Sequence, residues 1–298
     1  MEKLSSKFKT HQKKWGRMSK LWNKFSKPGR PSKEDIKNYD RLLQIALKNK
    51  SVPKVVVLGA TPEIRTLLNK YSKKQNAEIY CVDMTKDMYQ AMSTLIKNKN
   101  PNEKFISSNW IEMSQKIKPK SADVIIGDYV LGNVGGNEDK FLGEISKTLK
   151  SDGSFITRAQ IIDGIKNKFN LLKEFQRTCS QVRKKQIIIK EASAYYFSNL
   201  MLHTWYLNKE NRNSLSFITD KDFAKLKSEI RSKKDPIENK VMNHFFKSWF
   251  LIKDKYWTNY KRKKLESILR GYFKIQKTLF SNDYEITPQS PIYLLRNK

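Results

Sequence analysis

The stretch that most restricts how this chain can fold runs from Lys54 to Asp87, KVVVLGATPEIRTLLNKYSKKQNAEIYCVDMTKD. Val55, Val56, Val57 and Leu58 form an unbroken apolar run, the pattern of a parallel strand covered on both faces. Gly59 ends the run, and Thr61 is placed to cap a helix with Pro62 and Glu63 in its first turn. Ile64, Leu67, Leu68 and Tyr71 then recur at helical spacing. A second strand follows over Ala77 to Val82, with Asp83 at its carboxyl end. Strand, tight turn, helix, strand and acid make the opening unit of a nucleotide-binding α/β sheet, in which ligands lie beyond the carboxyl ends of the strands and the acid accepts from ribose hydroxyls. The acid falls 24 residues after Gly59, close to the usual interval of about 20.

The turn itself narrows the choice of nucleotide. A dinucleotide needs its pyrophosphate at a helix amino end, with several glycines allowing close approach. Here Gly59 stands alone, Pro62 has no N–H to give, and Glu63 places negative charge where phosphates would sit, so NAD and FAD fit poorly. S-adenosyl-L-methionine carries adenosine and a cationic sulfonium amino acid without phosphate, and needs only a close turn and a ribose acid.

Five segments in order resemble the motifs of the class I S-adenosylmethionine-dependent methyltransferases, from Lys54 to about Ala159. VLGATPE resembles a variant, LGxTPE form of the first motif, where Gly-x-Gly-x-Gly is more usual, and it puts Gly59, Ala60 and Thr61 beside the cofactor. IYCVDMT resembles the second, with Asp83 in the ribose place and Met84 beside the adenine. SSNW resembles the segment after the third strand; there the resemblance implies that Asn109 faces the adenine amino group and Trp110 packs on the ring. ADVIIGDYVLGNV resembles the fourth motif, which puts Asp128 and Tyr129 beside the transferred methyl, both as cofactor neighbours and as candidates for catalysis. LKSDGSFITR resembles the turn into the fifth strand. Because many members use an amino-terminal segment as a lid, the resemblance also lets Arg30 reach the cofactor's carboxylate through a guanidinium–carboxylate pair; the alternative is a loop arginine on a basic surface.

Methyl transfer from a sulfonium is an in-line displacement with an activated donor, so the protein mainly positions the acceptor and no triad is expected. The fourth segment reads GDYVLG and neither cysteine follows a proline. It therefore lacks the Pro-Pro-aromatic signature of amino-directed base methylation and the Pro-Cys nucleophile of carbon-directed cytosine methylation.

The remaining chain extends this plan. Residues 1 to 27 are basic, with Phe8, Trp15, Leu21, Trp22 and Phe25 spaced as in a short helical arm that docks its aromatics or, alternatively, tracks phosphates. After the loop KPGRPSKED, Ser32 caps a helix carrying Ile36, Tyr39, Leu42, Leu43 and Ala46. Lys104 to Ser107, Ala122 to Gly127 and Ser154 to Ala159 read as the third, fourth and fifth strands. From Gly164 to Gln276 the pattern is helical only, with aromatic stripes that read as core, and His203 among apolar neighbours as a candidate base or a structural residue. Lys277 to Ile286 and Pro291 to Leu295 read as a closing antiparallel hairpin. The expected architecture is a doubly wound, seven-stranded, mainly parallel α/β sheet: an amino-terminal helical arm and lid over 1–50, the Rossmann-like domain over 51–163 and 277–298, and a helical insertion or cap over 164–276.

The formal net charge is +31, from 60 Lys and Arg against 29 Asp and Glu. Such a surface attracts nucleic acid, although the lysines are spread along the whole chain. Cys81 and Cys179, far apart in apolar settings, indicate neither a disulfide framework nor a zinc site. There is no apolar leader and no membrane-length run, so a soluble, cytoplasmic enzyme without metal is expected. Its function reads as S-adenosylmethionine-dependent methyl transfer to a small-molecule acceptor. RNA or protein as acceptor, or a degenerate basic nucleic-acid-binding scaffold, are the alternatives.

Overall fold

The computed structural model describes residues 27, 29–134, 136–161, 163, 170–196, 213–214, 220–232, 235–252, 256–257, 260–284 and 287–298. The aromatic arm before residue 27, and His203, Trp205 and Tyr206, lie outside these residues.

The first helix, α1 (Lys33–Ala46), starts at a full capping box: the Ser32 hydroxyl accepts from the Asp35 N–H at 3.0 Å and the Asp35 carboxylate from the Ser32 N–H at 2.9 Å. Strand β1 (Lys54–Leu58) leads through the Gly59 turn into α2 (Pro62–Gln75), then β2 (Glu78–Asp83), α3 (Lys86–Ser93) and β3 (Lys104–Ser107). A 3₁₀ segment over Trp110–Gln115 precedes β4 (Ala122–Asp128), α4 (Glu138–Thr148) and β5 (Leu149–Arg158). The insertion contributes α5 (Leu171–Arg183), α6 (Asp220–Ser232) and α7 (Pro236–Ile252), after which α8 (Arg262–Tyr272), β6 (Phe273–Leu279) and β7 (Ile292–Asn297) close the chain.

The seven strands stand in the order β3-β2-β1-β4-β5-β7-β6. The first five are mutually parallel, while β7 runs antiparallel between β5 and β6. The order reverses between β1 and β4, so the ligand-binding switch point of a doubly wound sheet falls where Gly59 and Asp128 end their strands. Both faces are covered, as the apolar run predicts. Val55 and Val57 face α1 and α2 with Leu42, Leu43, Ile64 and Leu68, while Val56 and Leu58 face Phe141, Ile145, Leu265 and Phe273. Each of these fully buried aliphatic side chains contributes about 1.5–3 kcal/mol.

Four boundaries differ from the sequence reading, each for a local reason. Helix α1, read from the sequence as part of an amino-terminal arm and lid, packs in one layer of the sheet sandwich through Tyr39, Leu42, Leu43 and Ala46. Strand β5 begins at Leu149 and passes over Ser151 to Gly153 as a bulge, with the register shifting between the Ala122 and Val124 pairs. A Cβ on Gly153 would stand 2.9 Å from the Lys150 carbonyl oxygen, so the bulge needs glycine. At the other end of the chain α8 runs straight into β6 at Phe273. The stripe Leu265, Leu269, Phe273 keeps helical spacing into the strand, which hides its start, and α8 packs on the sheet with α4 and so ends the insertion before residue 262. Finally, the insertion is not purely helical, because Asn213–Ser214 pairs with Tyr256–Trp257.

Candidate functional site at the switch point

Gly59 adopts a positive φ of 80°, and its N–H donates to the Val82 carbonyl at 2.9 Å. The Trp110 indole Nε1–H donates to the same carbonyl at 2.9 Å. A Cβ on Gly59 would lie 3.4 Å from the Trp110 ring. The tips of β1 and β2 and the turn after β3 are thereby fastened at one oxygen. Trp110 lies with one side toward Phe141, ring centroids 6.3 Å apart. Thr61 occupies the N-cap place of α2, yet its hydroxyl makes no capping bond. Ala60 is buried beneath the insertion.

Asp83 sits half-buried at the end of β2, its Oδ1 accepting from the Thr85 N–H at 3.1 Å. Burial pushes its carboxyl above the ordinary range, and the N–H groups of Thr85, Ala60 and Met84 hold it back. Met84 is half-buried beside it. Asn109 caps the 3₁₀ segment, Oδ1 accepting from the Ile111 N–H at 3.3 Å.

At the β4 tip the structure shows a buried ionic cluster that sequence reasoning did not anticipate. Arg158, at the end of β5 and wholly buried, donates from Nε to Asp128 Oδ1 at 2.8 Å and from Nη2 to Asp128 Oδ2 at 2.9 Å. Its Nη1 pairs with Asp35 of the α1 capping box. The Tyr39 hydroxyl donates to Asp128 Oδ1 at 3.0 Å and accepts from the Arg158 N–H at 3.1 Å, and Ser281 donates to Asp35 Oδ1 at 2.7 Å. Burial works against the charge on Arg158, but Asp128 and Asp35 more than offset it and keep the guanidinium protonated. Burial raises the Asp128 carboxyl, and Arg158 opposes the shift. Asp128 is therefore not a free carboxylate: three donors occupy its two oxygens. Two signals for the cluster were present in the sequence, a capping box with Asp at its third position and an arginine closing an apolar strand.

Tyr129 follows in the left-handed region, φ 51°, a conformation that costs a non-glycine residue about 1–3 kcal/mol and persists only where the surroundings fix it. Here the fixing is visible. Its ring lies 4.0 Å from the Arg158 guanidinium carbon, its N–H donates to the Arg158 carbonyl at 3.1 Å and its hydroxyl donates to Ser290 at 2.9 Å. Burial raises its phenol well above the ordinary range. Tyr129 and Ala60 then join Phe175, Cys179, Tyr196, Val241 and Phe245 of the insertion in one continuous apolar cluster, so the helical layer packs directly on the strand tips.

Arg30 is placed near the same tips. Its Nη1 donates to Glu63 Oε1 at 3.0 Å, so Glu63, in the first turn of α2, is the partner the structure gives it. Both cysteines are free and buried. Among the described residues no group of His, Cys, Asp and Glu is arranged to hold a metal, and no helix is long and apolar enough to cross a membrane.

Strand order, the glycine turn and the acid at the β2 tip define a Rossmann-like fold of the class I methyltransferase type. A family model described as a methyltransferase domain matches residues 61–229, more than half of the chain. The chain belongs to this methyltransferase family, whose class uses S-adenosylmethionine as methyl donor. No curated protein matches it by sequence. Among solved structures, a protein from Rhodobacter sphaeroides, named provisionally as a Zn-dependent alcohol dehydrogenase, is similar at 13% identity over 93% of this chain and 94% of that one, TM-score 0.51. This likeness concerns the fold alone. A protein from Listeria monocytogenes, named provisionally as an S-adenosylmethionine-dependent methyltransferase, matches at 12% identity over 88% of this chain and 99% of that one, TM-score 0.48. The 1,6-didemethyltoxoflavin-N1-methyltransferase of Burkholderia thailandensis matches at 10% identity over 88% and 78%, TM-score 0.47.

Proposed function

We propose that this methyltransferase binds S-adenosylmethionine across the tips of β1, β2 and β4 and methylates a small molecule enclosed by the helical insertion. The observation that carries the reading is Asp83, a half-buried carboxylate held by backbone N–H groups beside the left-handed Gly59 turn. The residues fit the cofactor. Asp83 accepts the ribose hydroxyls; Gly59, Ala60 and Thr61 present backbone and a hydroxyl without capping duty; Met84 and Trp110 flank the adenine. Asn109 faces the adenine amino group, its Oδ1 keeping a second lone pair beside the one that caps the 3₁₀ segment.

When bound, the cofactor supplies a methyl on a positively charged sulfur, ready for displacement by an aligned nucleophile. The chain's own part is positioning. Asp128, with its oxygens occupied, holds Arg158, and Arg158 holds the Tyr129 ring; Tyr129 in turn forms the wall beside the methyl path and keeps its proton. In this reading neither is a general base. The insertion, packed on Ala60 and Tyr129, keeps water from the tips and limits the acceptor to something small.

RNA is the second reading, favoured by the +31 charge. Incubation of the protein with methyl-labelled S-adenosylmethionine and separated small-molecule, RNA and protein pools tests both readings. Label in the small-molecule pool supports the first, label in RNA the second, and unlabelled pools throughout contradict the proposed transfer to any of them.

A further inference from the structure

Three uncharged side chains at the tips of β4, β5 and β7 each bury a polar atom that has no hydrogen-bond partner: Gln160 Nε2, Asn133 Oδ1 and Gln289 Oε1. The backbone gathers their segments at one end of the sheet. Asn133 closes the short helical turn Val130–Asn133 after β4 and donates through Nδ2 to the Tyr129 carbonyl at 2.9 Å, which leaves Oδ1 as the open end of its amide. Gln160 stands two residues beyond Arg158, past the carboxyl end of β5, and is 4% exposed. The Ile161 N–H donates to the Gln289 carbonyl at 2.9 Å, and the Tyr129 hydroxyl donates to Ser290, next to Gln289, at 2.9 Å. The insertion covers this end, since Tyr256–Trp257 packs on Val130–Asn133 and Tyr260 bridges to Ile161.

Buried donors and acceptors left unmade are costly, and native structures normally fill them. The unmet atoms here are one donor and two acceptors, all on neutral amides. The charges beside them are already matched, because Arg158 is held by Asp128 and Asp35. An acid or an amine buried among them would therefore find no countercharge. A carboxamide supplies the missing set, with one oxygen to accept and two N–H groups to donate.

We propose that this end of the sheet is the acceptor subsite and takes an uncharged, carboxamide-bearing molecule, whose oxygen accepts from Gln160 Nε2 and whose N–H groups donate to Asn133 Oδ1 and Gln289 Oε1. The amide anchors the acceptor beside Tyr129, and the atom that receives the methyl lies elsewhere on the same molecule. The proposal rests on the small-molecule methyltransferase reading above and adds the acceptor's chemical class, with Gln160 as the residue that selects it.

Benzamide, benzoate and benzylamine, alike in size and different in charge, are the probes, each titrated calorimetrically into the full chain saturated with S-adenosylhomocysteine. Benzamide is expected to bind about tenfold or more tightly than the other two, and Gln160→Met and Gln289→Met are each expected to weaken it by roughly three- to tenfold, the effect of one neutral hydrogen bond. S-adenosylhomocysteine affinity should stay within about twofold in both variants, which shows them folded with the cofactor site intact. Thermal denaturation of the ligand-free chain adds a readout that a structural glutamine would move the other way. Removing an unmet buried amide in Gln160→Met should leave the midpoint equal or higher. A midpoint lower by about 4 °C or more, benzoate or benzylamine bound as tightly as benzamide, or benzamide affinity unchanged in Gln160→Met overturns the subsite. An unaltered chain that binds S-adenosylhomocysteine but not benzamide also overturns it and leaves the cofactor reading standing, whereas one that binds neither removes both.

Discussion

Replacing Arg158 by Met removes the cation that Asp35 and Asp128 share while keeping the volume of its stem. In the native chain that guanidinium makes two bonds of 2.8 and 2.9 Å to Asp128 and pairs with Asp35, and all three side chains are at most 4% exposed. The variant leaves two carboxylates facing each other in a dry site. Breaking a buried pair by removing one partner costs about 3–5 kcal/mol, and at roughly 2–4 °C per kcal/mol for a chain of this size the midpoint should fall by about 10 °C. The sign of the pH dependence follows from the same groups. Burial already raises the Asp128 carboxyl in the folded chain, and loss of Arg158 raises it further. The folded variant then binds protons more readily than the unfolded chain. Its stability is greatest below the unfolded carboxyl value, about 3.9, and is lost as pH rises through the raised folded value. The deficit against the native chain should therefore shrink on acidification. Urea unfolding across the carboxylate range measures it, with the double variant Arg158→Met/Asp128→Asn expected to recover a large part of the loss. A single variant within about 1 kcal/mol of native, the value of an exposed pair, or a double variant as unstable as the two single losses added, would refute the shared-cation account.

Other outcomes follow from single contacts. Gly59→Ala forces a Cβ into the left-handed region, costing about 1–2 kcal/mol, and should weaken S-adenosylhomocysteine binding in a calorimetric titration. Trp110→Phe deletes the 2.9 Å bond to the Val82 carbonyl, and should lower stability by about 1 kcal/mol in chemical denaturation. If RNA is an acceptor, its affinity by fluorescence anisotropy should fall steeply and linearly on a log–log salt plot; a flat plot removes RNA from consideration.

The opening βαβ unit was legible because its signals are local: an apolar run, a glycine, a cap position and an acid at a fixed interval. Strand order was reachable by resemblance, and Asp83 lies where the spacing puts it. The β6 boundary was hidden because Phe273 serves as well at the end of a helical stripe as at the start of a strand. The partners of Asp128 were hidden for a different reason. Asp35, Tyr39 and Arg158 are far apart in sequence, and only the folded sheet brings a capping carboxylate, a helix tyrosine and a strand-end arginine onto one residue. Arg30 was read as reaching the cofactor's carboxylate or as a loop arginine, and its pairing with Glu63 depends on where the chain before α1 crosses the amino end of α2.

Cofactor binding through Asp83 is the point on which the account turns. Calorimetric titration of S-adenosylhomocysteine into the native chain and Asp83→Ala measures it directly. The account predicts one site per chain with affinity of micromolar order in the native protein, and a loss of roughly tenfold or more in the variant, the value of the charged ribose bonds. Equal affinity in the two proteins, or no binding to the native chain, would contradict it.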